Sequence, residues 1–233
     1  MKILFGIESY FESYGGPYTA LSQKLDYLNN ANIEFKLIFK YSSYFSYNLN
    51  FDEIVKNYDI IHIYGTWKPF YIKLFSASKK LNKKIITSPI GALEPWSLSQ
   101  KKIKKKLAWF FYQKKLILES DYIHATCEIE KKHLIELGVD TSKIKVIAHG
   151  VEVHKNLSKK FNKDQKKMIF FSRIHPKKGL LELIKIWDKL DASKDWFLNI
   201  YGPVSDQEYL SKIKREILNK KLESKIKILN PHL

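Results

Sequence analysis

Arg173, His175, Lys177 and Lys178 fall within six residues, directly after the apolar pair Phe170-Phe171 and directly before Gly179-Leu180. Cations so spaced suit an anion, and phosphate above all: arginine offers a planar fork of N–H donors and lysine a compact point charge. The flanks set how the cluster is presented. Residues 168–172 read as a buried strand, while Leu181, Ile184, Trp187 and Leu190 recur at helical spacing. A strand that delivers basic side chains to a helix start puts full charges beside unpaired N–H groups and the positive end of the helix dipole. The same turn also reads as a solvated βα connection in a lysine-rich chain, and the residues by themselves leave both readings open.

A second candidate is Ser13-Tyr14-Gly15-Gly16-Pro17, which follows the first strand and opens a helix. Two glycines there allow close approach of a ligand to the backbone. The pattern is not G-x-G-x-x-G, so no dinucleotide is implied. Strand 60–64 alternates His62 and Tyr64 onto one face, and His62 reads there as a hydrogen-bonded structural histidine. Glu94, in the loop Ser88-Pro89-Ile90-Gly91-Ala92-Leu93-Glu94-Pro95-Trp96, has the chemistry of a base but the position of a carboxylate facing water. Thr126 reads as the N-cap of a helix that opens at Glu128.

Positioning these groups takes many short elements. Strand-like runs at 3–7, 33–39, 60–64, 85–87, 122–125 and 145–148 alternate with helix-like stretches, among them 68–82, one long helix from Ser99 to Leu118, and 128–137. Alternation of this kind predicts βαβ units and a mostly parallel α/β sheet. Residues 151–167 are polar and aperiodic and read as a linker. A second βαβαβ run follows: 168–172, the helix to Leu190, 196–201, 208–219 and 226–229. The expected organisation is a complete Rossmann-like domain over 1–150, a linker over 151–167, and about half of a second domain over 168–233.

The formal charge of +17, with 41 Lys and Arg against 24 Asp and Glu, favours anionic partners without choosing among them. Lys, Ile, Asn and Tyr are abundant together, so part of that charge reflects general lysine usage. The single cysteine, Cys127, excludes an intrachain disulfide and a cysteine-based zinc cluster. No apolar run approaches the roughly 18 residues of a membrane span, and Met1–Ile7 reads as a first strand, not a signal peptide. A cytoplasmic protein is expected. The stretch from Ser99 to Leu118 mixes seven lysines with Ile103, Leu107, Trp109, Phe110 and Phe111. It suits either a solvated helix face or peripheral contact with the inner face of an anionic membrane.

Taken in order, these segments resemble glycosyltransferase family 4, retaining sugar transferases of the GT-B fold, and within it the bacterial branch that builds surface polysaccharide and lipopolysaccharide. The resemblance runs through Gly15-Gly16-Pro17, Ile61-His62-Ile63-Tyr64-Gly65-Thr66-Trp67 and the 88–96 loop. It continues through Lys106-Leu107-Ala108-Trp109, His124-Ala125-Thr126-Cys127-Glu128, Val146-Ile147-Ala148-His149-Gly150-Val151-Glu152 and Ser172-Arg173-Ile174-His175-Pro176-Lys177-Lys178-Gly179. It implies two Rossmann-like domains facing across a cleft, a nucleotide-sugar donor on the second and a glycan or lipid-linked acceptor on the first. It implies Arg173 and Lys178 as the pair that neutralises the donor diphosphate, with Gly15 and Gly16 approaching the phosphates. Acceptor-side candidates are His62, Thr66, Trp67, Glu94 and Glu128. No cofactor, no metal and no nucleic-acid partner are expected.

The departures from the family pattern are local. Ile90 stands where this branch usually carries His or Arg, Tyr64 where a second histidine is common, and Ala148-His149-Gly150 where Pro-Asn-Gly is usual. The family's acidic Glu-x7-Glu motif is not matched. The pairs Glu208/Glu216 and Glu128/Glu136 have its spacing but lie too early, on amphipathic helices. The resemblance therefore implies a chain truncated in its donor domain, with little activity of its own, an open apolar sheet edge and a marginal second domain. Two further readings are half of a split enzyme, completed by a second polypeptide, and a non-catalytic basic binding module at the membrane surface.

Overall fold

The computed structural model describes residues 1–11, 16–39, 49–150, 166–190 and 195–229. The chain divides into two compact units, Met1–Val153 and His154–Leu233.

In the first unit the strands are β1 (Ile3–Ile7), β2 (Phe35–Phe39), β3 (Ile60–Tyr64), β4 (Lys84–Ser88), β5 (Tyr122–Ala125) and β6 (Ile144–Val146). They form one parallel sheet in the order β2-β1-β3-β4-β5-β6. β1 and β3 are buried along almost their whole length, as near-continuous apolar strands covered on both faces should be. Alternation sends Phe5, Ile7 and Tyr64 against Leu21 and Leu25 of α1 (Gly16–Asn30). Leu4, Ile61 and Ile63 join the opposite core, with Leu74 and Phe75 of α3 (Pro69–Lys80); α2 (Phe51–Val55) contributes Phe51 and Val55 to the same side. The chain leaves β1 toward β2 on one side and β3 lies on the other, so strand order reverses between β1 and β3. Ligands gather beyond the carboxyl ends of strands at such a switch point.

The expected single helix from Ser99 to Leu118 is four pieces: α4 (Pro95–Ser99), α5 (Lys102–Ala108), a π-helical turn (Trp109–Gln113) and α6 (Lys114–Leu118). Lys101, at φ +51°, separates α4 from α5. The π turn adds a residue to the winding and brings Gln113 wholly inside while Phe110 and Phe111 stay 79% and 73% exposed. The last helix of this unit, α7 (Glu128–Glu136), starts from an extended Cys127 with no side-chain cap, so Thr126 is not the N-cap.

The second unit is a three-stranded parallel sheet, β7 (Lys166–Phe171), β8 (Trp196–Tyr201) and β9 (Ile226–Leu229), in that order. Residues 166 and 167 therefore belong to a strand and not to the linker; residues 151–165 and Gly15 lie outside the described residues. α8 (Leu180–Trp187) and α9 (Gln207–Asn219) pack on one face through Leu180, Ile184, Trp187, Tyr209, Ile213 and Ile217, against Leu198 and Ile200. α8 stops before Leu190, which is exposed and not part of the expected buried stripe. Met168 pairs with Leu198 and Phe170 with Ile200, so Ile169 and Phe171 face the other side of the sheet, 62% and 80% exposed.

The backbone after β7 lies alongside the backbone after β8. The amides of Ser172 and Ile174 donate to the carbonyls of Tyr201 and Pro203 at 3.0 and 2.9 Å. Gly202, at φ +147°, makes this approach fit: a Cβ there would lie 1.9 Å from the Ser172 carbonyl oxygen. Gly202→Ala is expected to destabilise the second unit by more than about 2 kcal/mol, read as an earlier transition in thermal unfolding of the full chain with the first unit's transition unmoved.

Candidate functional site

At the β1–β3 switch point the first unit holds a cavity of about 240 Å³, walled by Glu8, Tyr64, Gly65, Thr66, Trp67 and Ile90 among others. The Glu8 amide donates to the Tyr71 hydroxyl at 3.0 Å, and Lys68 Nζ lies 3.4 Å from the Glu8 carboxylate. Gly65, at φ +141°, leaves room for that hydroxyl, which lies 2.3 Å from where a Cβ would stand. Two lining hydroxyls, Tyr64 Oη and Thr66 Oγ1, are buried with no hydrogen-bond partner among the described residues. Burial pushes the Tyr64 phenol up to about 12, so it stays a protonated donor. Buried polar atoms are normally paired; here the unmet capacity suits a hydroxyl-bearing guest.

Trp67 sits in left-handed backbone at φ +71° and is held from three sides. Its amide donates to Gln113 Oε1 at 2.8 Å, its indole Nε1 to the Ala92 carbonyl at 3.2 Å, and the Tyr112 hydroxyl donates to its carbonyl at 3.3 Å. The π turn is thus what brings Gln113 and Tyr112 to Trp67. The loop after β4 is also strained: Ile90 is at φ +54° and Gly91 at φ +67°. A β-branched residue there costs about 1–3 kcal/mol and persists only where its surroundings over-determine it. Glu130 of α7 supplies that restraint, accepting from the Gly91 amide at 2.8 Å and from both the amide and the hydroxyl of Thr126 at 2.7 Å. Glu94 does not face water as expected: it bonds His133 Nδ1 at 2.7 Å, a second tie between loop and α7.

Under the cavity wall lies a buried relay. His62 Nε2 is 2.7 Å from Ser88 Oγ, Ser88 Oγ is 2.8 Å from His124 Nδ1, and His124 Nε2 is 2.8 Å from the Ile147 carbonyl. Desolvation lowers both imidazoles, His62 well below the usual range, with Lys24 adding to the effect on each; on His124 the Ile147 bond opposes it. Both are therefore neutral, and the proton positions follow. A carbonyl only accepts, so His124 Nε2 carries its proton and its Nδ1 accepts from the Ser88 hydroxyl. Ser88 then accepts from His62 Nε2–H. This is the structural role expected for His62. It does not line the cavity, whereas Thr66 and Trp67 do. Glu128 lies apart, 76% exposed and 3.6 Å from Lys131.

In the second unit Arg173 and Lys178 are exposed, and no carboxylate pairs with either among the described residues. Pro176–Lys178 form a 3₁₀ turn and Gly179, at φ +68°, leads into α8. The helix start is less open than expected. The amides of Lys178 and Gly179 donate to His175 and Pro176 carbonyls, and the Leu181 amide donates to the Tyr209 hydroxyl at 3.0 Å. What the turn presents to solvent is therefore the two cationic side chains, not a row of free amides. Among the described residues no three His, Cys, Asp or Glu side chains gather into a metal site, and no helix is long and apolar enough to cross a membrane.

Glu130, Gln113 and Ser88 carry roles that residue patterns did not assign. Glu130 had a signal, as the third residue of a helix opened by Thr126-Cys127, a capping-box spacing shifted by one. Gln113 had none, since only the π turn turns it inward.

The family model described as "Glycosyltransferase Family 4" matches residues 24–155, and "Glycosyl transferases group 1" matches residues 154–231. An uncharacterised 41.2 kDa protein of the cps region of Klebsiella pneumoniae is 27% identical over 171 residues, 68% of this chain; the chain spans 46% of that relative's length. HepE of Anabaena, crystallised with UDP and glucose, superposes with a TM-score of 0.69 at 18% identity, covering 99% of this chain and 69% of that one. The lipopolysaccharide outer core galactosyltransferase WaaB superposes at 0.65 with 19% identity, covering 99% and 68%. These likenesses show the GT-B fold, with one full Rossmann-like domain and part of a second.

The relay makes the first unit acid-sensitive. An imidazole held below its unfolded value of about 6.5 stays neutral in the fold while the unfolded chain takes up a proton. Stability is therefore flat above pH 6.5 and falls as pH drops below it, by up to about 1.4 kcal/mol per pH unit for each histidine. Unfolding monitored from pH 7.5 to 5 should show this slope, weakened in His62→Leu. Ser88→Ala, which strands one donor and one acceptor, should cost about 2 kcal/mol or more at pH 7.5.

Proposed function

The chain belongs to glycosyltransferase family 4, and on that premise we propose that it transfers a sugar from a nucleotide-sugar donor to a hydroxyl of a glycan acceptor. The observation that carries this reading is the turn in the second unit, where exposed Arg173 and Lys178 flank a helix start and lack carboxylate partners among the described residues. In the reaction the acceptor oxygen bonds to the sugar's anomeric carbon and gives up its proton, which ends on the released diphosphate or in water. The bond from that carbon to the phosphate oxygen breaks, and the nucleoside diphosphate leaves with the electron pair. Its charge grows in the transition state, where preplaced cations stabilise it most. Charge neutralisation by these side chains makes donor binding independent of a divalent metal.

The acceptor belongs in the cavity at the β1–β3 switch point, where Tyr64 and Thr66 offer unmet hydroxyls. Gly16 opens α1 close to that edge in sequence. The Anabaena structures with UDP and with UDP-glucose support a uridine nucleotide as donor. Exposed Ile103, Leu107, Phe110 and Phe111, set among lysines, support peripheral contact with an anionic membrane; the WaaB and cps-region relatives support a surface-polysaccharide role.

Calorimetric titration with UDP tests the donor half. Arg173→Ala and Lys178→Ala are each expected to weaken binding at least tenfold, about 1.4 kcal/mol. Raised salt should weaken wild-type binding further, and EDTA should leave it unchanged. Equal affinity for the variants and the wild type would overturn the assignment.

A further inference from the structure

Between α1 and the 148–150 segment of the first unit lies a groove of about 530 Å³ that the reaction above does not use. One wall is a polar face of α1, where Gln23, Asp26, Tyr27 and Asn30 recur at i, i+3, i+4 and i+7, turned away from the buried Leu21 and Leu25. The other is Ala148-His149-Gly150, and Lys24 lines the groove between them. No residue is shared with the lining of the acceptor cavity. We infer that this groove is a second saccharide site and that it takes a sugar bearing an anionic group, carboxylate or phosphate, on Lys24 and His149.

Three observations converge on that occupant. The first is an unanswered charge. Lys24 is partly buried, its Nζ 5.4 Å from the Tyr64 ring centroid, and no carboxylate or hydrogen-bond acceptor meets it among the described residues. Desolvation lowers its pKa with nothing opposing it, so an anion brought to the ammonium relieves a standing cost. The second is His149, which stands where the family usually has asparagine, its ring 6.2 Å from that of His124. Desolvation and then Lys24 lower its pKa, against the pull of Glu130, so near pH 7 it is a neutral imidazole with one N–H to donate. Glu130 does not answer Lys24, because both its oxygens are bonded to Gly91 and Thr126. The third is the face of α1. Tyr27, 73% exposed, offers a flat ring to the C–H face of a sugar, and Gln23, Asn30 and Asp26 offer donors and acceptors to its hydroxyls. Asp26 repels an anion, which leaves the Lys24 end of the groove for the charged group. The groove's size falls within the range of small-molecule sites.

An acidic sugar held here, away from the reacting hydroxyl, would make the proposed transferase selective for charged glycans; that consequence rests on the proposed function, whereas the site's test needs no turnover. The full chain is titrated with methyl glucuronide, glucose 6-phosphate, methyl glucoside and inorganic phosphate, following each by saturation-transfer NMR. At least one of the two acidic sugars is expected to bind at least tenfold more tightly than methyl glucoside and than inorganic phosphate, and the tighter of the two identifies the anion. Lys24→Met, which keeps the stem over Tyr64, should remove that advantage, and Lys24→Arg should retain it. Tyr27→Ala, on the exposed face, should weaken acidic and neutral sugars alike. UDP binding should be unchanged in all three variants, and Thr66→Val, in the acceptor cavity, should leave the acidic sugars' advantage intact.

Acidic sugars binding no tighter than methyl glucoside, or unmoved by Lys24→Met, overturn the inference. So does inorganic phosphate binding as tightly as glucose 6-phosphate, which would mark an anion site with no saccharide specificity. Loss of binding in Thr66→Val but not in Tyr27→Ala would move the sugar to the acceptor cavity and likewise refute the second site. UDP binding with no preference for acidic sugars would leave the transferase reading intact and this one refuted. A Lys24-dependent preference for acidic sugars without UDP binding would do the reverse.

Discussion

The carboxyl ends of β3, β4 and β5 are held level by side chains that water does not reach. His62, Ser88 and His124 stand one per strand on the same sheet face, and their hydrogen bonds run in one direction to the Ile147 carbonyl. Each polar group in the line satisfies the next, so the seam is favourable only while complete. It sets the level from which the 65–68 and 88–94 segments leave the sheet. The cavity is walled by those two segments together with Tyr64, Glu8 just after β1, Pro17 of α1 and Tyr71 of α3.

Both segments then enter backbone that their residues disfavour. Trp67 and Ile90 lie at positive φ, and neither conformation is local preference. Gln113 and Tyr112 hold Trp67, while Glu130 and the Glu94–His133 bond hold the loop containing Ile90. The restraints come from elements distant in sequence, so the cavity's shape is a property of the assembled first unit. The second unit follows a different logic. There Gly202 lets two loops run side by side, which gives Arg173 a fixed base while its side chain stays exposed.

Much of the frame was legible in the chain. Alternating apolar runs and helical spacing named every strand of both sheets, since buried parallel strands have few other ways to read. His62 as structure was legible from its place inside a strand, and Thr66 and Trp67 at the cavity from a resemblance whose segment follows that strand's end. Three features were not. Lys101 at positive φ and the π turn at 109–113 carry no residue signature, so 99–118 read as one helix. The filled start of α8 depends on Tyr209, which comes from another helix 28 residues away. Glu94 bonds His133, and Glu130 bonds Gly91 besides its local bonds to Thr126; only the fold brings the first two pairs near, and a carboxylate in a loop looks the same whether it meets water or an imidazole.

The proposed donor site is the turn between β7 and α8. Hydrogen exchange of the full chain, with and without saturating UDP-glucose, tests it most directly. Slowed exchange across residues 172–180 is expected. Protection absent from that turn while the nucleotide is bound elsewhere on the chain would contradict it.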